Sequence, residues 1–183
     1  MIAILFAEGF EEVEALAPVD ILRRAGLSVV MAGVGGKEIT GSHGVTVKMD
    51  REVQELDPEE LEALVLPGGL PGTLNLEGSQ AVQALLERCA AQEKTIGAIC
   101  AAPSVLAHKG LLKNREATAF PNFQKDLEDG GASLGERYVC EDGNFITARG
   151  MGVATEFGLK LAERLASPEK AAEIRASIQM ERN

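Results

Sequence analysis

Thr95-Ile-Gly-Ala-Ile-Cys-Ala-Ala-Pro-Ser104 decides how the rest of the chain is read. Its first half, Ile96 to Ile99, is a short apolar run of the kind that forms a fully buried strand. Its second half carries Pro103, which suits a first helical turn because the N–H it lacks would have no partner there. A strand ending at Ile99 and a helix over residues 101–108 leave Cys100 at the turn between them. The free N–H groups and partial positive charge of a helix N-terminus favour a thiolate over a thiol. Strand, nucleophile and helix in that order are also the plan of a nucleophile elbow, although the flanking glycines of that motif are absent. A small, inert core cysteine fits the same segment equally well.

On either side of that segment, apolar runs alternate with helical patterns. Strands are expected at residues 2–6, 28–34, 64–66, 95–99 and 145–148, with short extended pieces at 37–39, 45–47 and 117–120. Helices are expected at 11–25, 79–92 (capped by Ser79), 101–108, 153–165 and 168–179, the last opened by Ser167-Pro168. Strands separated by helices imply an α/β fold, a mostly parallel sheet covered on both faces and wound in both directions. The reading is one domain over residues 1–183, with no internal repeat or low-complexity linker. In such a sheet, sites form at the carboxyl ends of strands. Cys100, Gly68-Gly69 and the Glu8-Gly9 turn all fall there, which strengthens the functional reading of the thiol.

The bulk composition narrows the class of function. The chain has 183 residues, long enough for a real core without covalent staples. No tryptophan is present and aromatics are 4%, so aliphatic packing dominates and base-stacking platforms are absent. A net charge of −10 repels phosphate backbones and anionic lipid, so neither nucleic acid nor membrane is an expected partner. The 3 cysteines, Cys89, Cys100 and Cys140, show neither a disulfide framework nor zinc-ligand spacing. With His43 and His108 the only histidines, no metal site is expected. The start of the chain lacks a basic signal-peptide region, and no apolar stretch approaches the ~20 residues of a membrane helix, so the expected compartment is the cytoplasm.

Glu14 is the second informative residue. It shares a helical face with Ala17, Pro18 and Ile21, an apolar face where a carboxyl is partly buried and favours its protonated form. Such a group can donate a hydrogen bond or shuttle a proton near neutrality. A carboxylate that merely complements the helix dipole explains the same position. Gly68-Gly69 permits a tight turn with backbone N–H groups close to a ligand, and an oxyanion could sit between the N–H of Gly69 and that of Ala101. Arg149 could bring a cation to the same sheet edge, or occupy an ordinary surface turn. His43 reads as an exposed loop histidine, and His108, Cys89 and Cys140 as structural.

Together, Glu8-Gly-Phe-Glu-Glu-Val-Glu14, Pro18-Val-Asp-Ile-Leu-Arg-Arg-Ala-Gly26, Leu66-Pro-Gly-Gly69, Ala98-Ile-Cys-Ala-Ala-Pro103 and Ala148-Arg-Gly150 resemble the ThiJ/PfpI superfamily. The likeness is to the branch of the Parkinson-disease-associated protein deglycase. It implies a flavodoxin-like sandwich, a homodimer, and Cys100 as nucleophile with Glu14 as its carboxyl partner. Gly69 and Ala101 become anion donors, and Gly68, Arg24, His43 and Arg149 supporting residues. The implied activity is that of a glyoxalase or protein deglycase without cofactor or metal, acting on methylglyoxal-type 2-oxoaldehydes or their early protein adducts under carbonyl or oxidative stress. The alternative is a non-enzymatic redox sensor or chaperone switched by oxidation of Cys100. The chain departs from the pattern at Phe120, where many members carry a histidine, at His43, where the branch often has arginine, and at Met151, where the turn usually has proline. Without the histidine, Glu14 carries the proton transfers alone.

Overall fold

β1 (Ile2–Phe6) runs through the interior of the molecule in the computed structural model, which describes residues 1–180. All of its residues are buried: Ile2, Ile4 and Phe6 enter one apolar cluster, Ala3 and Leu5 the other. That two-residue period is the signature of a strand covered on both faces. The chain continues through α1 (Glu12–Arg24), β2 (Val29–Gly33), a hairpin of β3 (Glu38–Thr40) and β4 (Thr46–Lys48), β5 (Arg51–Glu52) and β6 (Ala63–Leu66). Then follow α2 (Gly72–Gly78), α3 (Gln80–Ala91), β7 (Thr95–Ile99), α4 (Pro103–His108), β8 (Glu116–Ala117), α5 (Gln124–Asp129) and β9 (Ser133–Leu134). A hairpin of β10 (Val139–Asp142) and β11 (Phe145–Ala148) leads to α6 (Ala154–Leu165) and α7 (Pro168–Ser177).

Seven strands form the main sheet in the order β10-β11-β7-β6-β1-β2-β5, every neighbouring pair parallel except β10 with β11. The chain leaves β1 towards β2 on one side and returns to β6 on the other. The crevice between β1 and β6 is therefore a switch point, the place where doubly wound sheets bind ligands. Helices α1, α6 and α7 cover one face through Val19, Leu22, Phe157, Leu161 and Ile174. The opposite face takes Leu76, Leu86, Val105, Leu106 and Leu127 from α2 to α5. This is the flavodoxin-like architecture expected from the sequence.

Local chemistry explains the element ends. Glu11 caps α1 by accepting the Glu14 N–H at 2.7 Å, Ser79 caps α3, and Ser167 caps α7 by accepting from Lys170 at 3.1 Å. Where α1 crosses α6, a side chain at Gly158 would stand 3.1 Å from Ile21 Cβ and 3.2 Å from Pro18 Cα, so the small residue sets the helix separation. The expected strands at 2–6, 95–99 and 145–148 form with the same bounds. The helix expected over 101–108 begins two residues later, at Pro103, and the piece near 117–120 pairs only through Glu116–Ala117, in a separate two-stranded sheet with β9.

Phe157 is fully buried, and its ring lies 3.0 Å from the place a Gly97 side chain would occupy. Phe157→Ala should cost about 3–5 kcal/mol, the range for truncating a fully buried phenylalanine. A urea titration checks this, and a loss under about 1 kcal/mol would mean that the cavity collapses freely.

Candidate active site

Cys100 has φ 65°, a left-handed conformation that a non-glycine residue rarely adopts. Its N–H donates to Ala148 O at 2.9 Å and its carbonyl accepts the Phe120 N–H at 2.9 Å, so β11 and the Phe120 loop hold the residue in that shape. Strain of this kind costs of order 1–3 kcal/mol and persists only where the surroundings impose it. The turn lifts the side chain out of the β7 core, leaving Cys100 part-exposed while Cys89 and Cys140 are buried.

Glu14 meets that thiol from α1. It is only 1% exposed, accepts the Gly68 N–H at 3.2 Å, and lies close enough to Cys100 and the Met151 N–H for both to shape its titration. A side chain at Gly68 would stand 2.6 Å from both Cys100 Cβ and Glu14 Oε2, so glycine is the one residue that lets the three approach. Gly69 follows at φ 93°, and its N–H and that of Ala101 lie near enough to the Cys100 sulfur to favour its charged form. Residues 14, 68, 69 and 100–101 thus converge at the β1–β6 crevice.

Burial pushes the Glu14 carboxyl up to about 7, with the nearby Glu11 charge adding to it; the bonds from Cys100, Gly68 and Met151 oppose the rise. The Cys100 thiol is pushed up to about 12, first by burial, then by the charge of an ionised Glu14 and the hydrogen bond to it; the Ala101 and Gly69 donors only partly compensate. Burial and the nearby carboxyl thus oppose the thiolate that a helix N-terminus favours. The helix starts beyond the thiol, at Pro103, and the carboxyl is the nearer charge. At neutral pH the pair carries a thiol beside a carboxyl poised between its two forms, and each group sets the other's titration.

The supporting residues fare differently. Gly68 belongs to the site through its N–H. Arg24 lies at the far end of α1, about 15 Å along the axis from Glu14, paired with Asp20 at 2.6 Å. His43 is turned to Glu12, with Nδ1 2.9 Å from one carboxylate oxygen and its N–H donating to the other at 2.7 Å; that bond raises the imidazole's pKa. Glu11, Glu12 and His43 present ligand atoms within 4.8 Å of one another, the arrangement nearest to a cation grip among the described residues. Arg149 donates to Thr118 Oγ1 at 3.1 Å and to the carbonyls of Gly135 and Glu136 at 3.3 Å, with its guanidinium 4.6 Å above the Tyr138 ring. It braces a loop instead of facing the thiol. Met151, whose N–H reaches Glu14, is a site member that sequence reasoning missed, though its place just past the carboxyl end of β11 pointed there.

The profile of the DJ-1/PfpI family matches residues 1–164. The chain belongs to that family. It is 38% identical to the protein dj-1beta of Drosophila melanogaster over 172 residues, 93% of this chain and 92% of that one. A protein named a deglycase in Thermococcus kodakarensis is 34% identical over 151 residues, 82% of this chain and 90% of that one. Among solved structures, oxidized Toxoplasma gondii DJ-1 superposes with a TM-score of 0.92 at 37% identity, covering 97% of each chain. Among the described residues of this family member, no helix is long and apolar enough to cross a membrane.

The raised Glu14 pKa makes a signed prediction. The folded state binds a proton between the unfolded value near 4.5 and the folded value of about 7. The contribution of Glu14 to stability is therefore fully present below pH 4.5 and lost as pH rises through 7, a fall of about 3 kcal/mol. Glu14→Gln, which mimics the protonated form, should lose that dependence: chemical denaturation at pH 4.5 and pH 8 should show wild type falling relative to the variant. Parallel pH profiles would contradict a buried, titrating Glu14.

Proposed function

We propose that this chain is a cysteine-dependent glyoxalase or protein deglycase, acting on methylglyoxal-type 2-oxoaldehydes or their early protein adducts as a cytoplasmic homodimer. The observation that carries the reading is the approach of the part-exposed Cys100 to the buried Glu14 carboxyl across Gly68, with the Gly69 and Ala101 N–H groups beside the same sulfur. A relative named a deglycase supports it, since that name denotes carbonyl chemistry on proteins.

In the proposed reaction the Cys100 sulfur adds to the aldehyde carbon, and its proton passes through Glu14 to the aldehyde oxygen, giving a hemithioacetal. The N–H groups of Gly69 and Ala101 steady the oxygen while it carries charge. Glu14 then removes the proton from the former aldehyde carbon and returns one to the neighbouring carbon, converting the adduct to a thioester of a 2-hydroxy acid. Water cleaves the thioester, releasing lactate from methylglyoxal and restoring the thiol. A carboxyl with a pKa of about 7 suits this traffic, because both of its forms are populated at the operating pH. The scheme calls on no metal and no organic cofactor.

Purified, metal-free protein should form lactate from methylglyoxal. Cys100→Ala should lower turnover by more than about 100-fold, since it removes the bond-forming atom. Cys89→Ala and Cys140→Ala should retain most of it, because both side chains are buried away from the crevice. Equal loss in all three folded variants would overturn the assignment.

The redox reading is favoured by one observation: the donors around the sulfur also suit a sulfinate, which would accept from Gly69, Ala101 and a protonated Glu14. Mild peroxide should then add two oxygens first at Cys100, the part-exposed thiol, with the buried Cys89 and Cys140 lagging, as peptide mass mapping would show. Simultaneous oxidation of all three would remove this second reading.

A further inference from the structure

Beside the thiol–carboxyl pair the surface is apolar in a way the proposed chemistry does not use. A cavity of about 450 Å³ is walled by Phe120, Tyr138, Met151 and Val153, with Gly150 at its inner edge. Phe120, Tyr138 and Met151 are among the most exposed large apolar residues, at 42%, 61% and 54%. Removing such side chains from water is favourable, and one ligand inserted among them would cover all three. The cavity lies next to the site. A side chain at Gly150 would lie 3.5 Å from the Phe120 ring and 3.8 Å from Glu14 Oε1, so a single glycine separates the apolar wall from the carboxyl. The wall is also held in place: Phe120 by its N–H on Cys100 O, Met151 by its N–H on Glu14, and Tyr138 by the guanidinium of Arg149 stacked on its ring. Arg149 has three of its own hydrogen bonds within the protein, so it serves as a brace.

We propose that this cavity receives the apolar substituent of the substrate, and that Phe120 is its specificity-determining residue. The preferred substrates are then 2-oxoaldehydes bearing an aryl or branched alkyl group, ahead of methylglyoxal and glyoxal. The proposal rests on the glyoxalase reading for the reaction but on the cavity for the preference. With the aldehyde carbon bonded to Cys100 and its neighbour facing Glu14, the third substituent is the part left to enter the cavity past Gly150. A methyl group touches little of that wall, whereas a phenyl ring can lie against Phe120 and Met151 together. The balanced reaction adds one water to an arylglyoxal and gives the corresponding aryl 2-hydroxy acid, mandelate from phenylglyoxal.

Two measurements separate the cavity from the chemistry. The first is the ratio of kcat/KM for phenylglyoxal to that for methylglyoxal, in which intrinsic reactivity cancels between wild type and variants. Phe120→Ala and Met151→Ser should each lower this ratio, Phe120→Ala by about 10-fold, the scale of a lost apolar contact in a specificity pocket. Phe120→Leu should keep most of it. The second is alkylation of Cys100 by iodoacetanilide relative to iodoacetamide, followed by peptide mass mapping and normalised to free N-acetylcysteine. It should favour the aryl reagent in wild type and approach parity in Phe120→Ala. Turnover of methylglyoxal with both ratios indifferent to Phe120 would overturn the pocket and leave the glyoxalase reading intact. No turnover of either aldehyde, with an alkylation ratio that still falls in Phe120→Ala, would keep the pocket and remove the glyoxalase reading.

Discussion

Parallel pairing of β1 with β2 on one side and β6 on the other is the constraint from which the rest of the molecule follows. Two parallel neighbours require two crossovers: α1 makes the one to β2, the segment through β5 makes the one to β6, and α2 and α3 then cover the opposite face. The sheet is thereby buried on both sides, and its polar ends become the only places where backbone groups and charged side chains meet water. Glu14, Gly68 and Cys100, each on a separate crossover, reach the same crevice for that reason and no other. Nothing in their spacing along the chain would bring them together without this winding.

Opposing electrostatic terms meet in that crevice. Burial disfavours charge on both the thiol and the carboxyl, while four backbone N–H groups (of Gly68, Gly69, Ala101 and Met151) favour it. The outcome is unequal. The carboxyl sits near neutrality, where a proton leaves and returns at small cost, and the thiol stays protonated until a reaction partner draws the proton away. The chemistry is thus gated by the pair rather than by the sulfur alone. Gly68 enforces the coupling, because any side chain there would push apart the two groups whose contact sets both titrations.

Much of this was legible in the residues. The buried strands announced themselves as uninterrupted apolar runs, and Ser79 and Ser167-Pro168 marked helix starts that the structure keeps. Cys100 at a strand end and Glu14 on an apolar helix face were visible from periodicity alone. What escaped was decided by distance in three dimensions. The glycine-rich α2 and the two-residue strands β8 and β9 carry too little pattern to be read. His43 gave no sign of its carboxylate partner 31 residues away, and Arg149 none of the carbonyls that occupy it. The opposing influences on the thiol could not be weighed from sequence, because helix position is a local property, whereas desolvation and a carboxyl from α1 are not.

The sulfur's high pKa has a meaning outside the site. An unfolded chain presents Cys100 as an ordinary thiol, ionising near 8.5 and open to any electrophile in its surroundings. Closing the crevice around it raises that ionisation, through burial and the Glu14 carboxyl, and leaves the sulfur part-exposed. Folding therefore sets the sulfur's environment as well as its place: the ease with which it ionises becomes a property of the closed crevice, not of the cysteine itself.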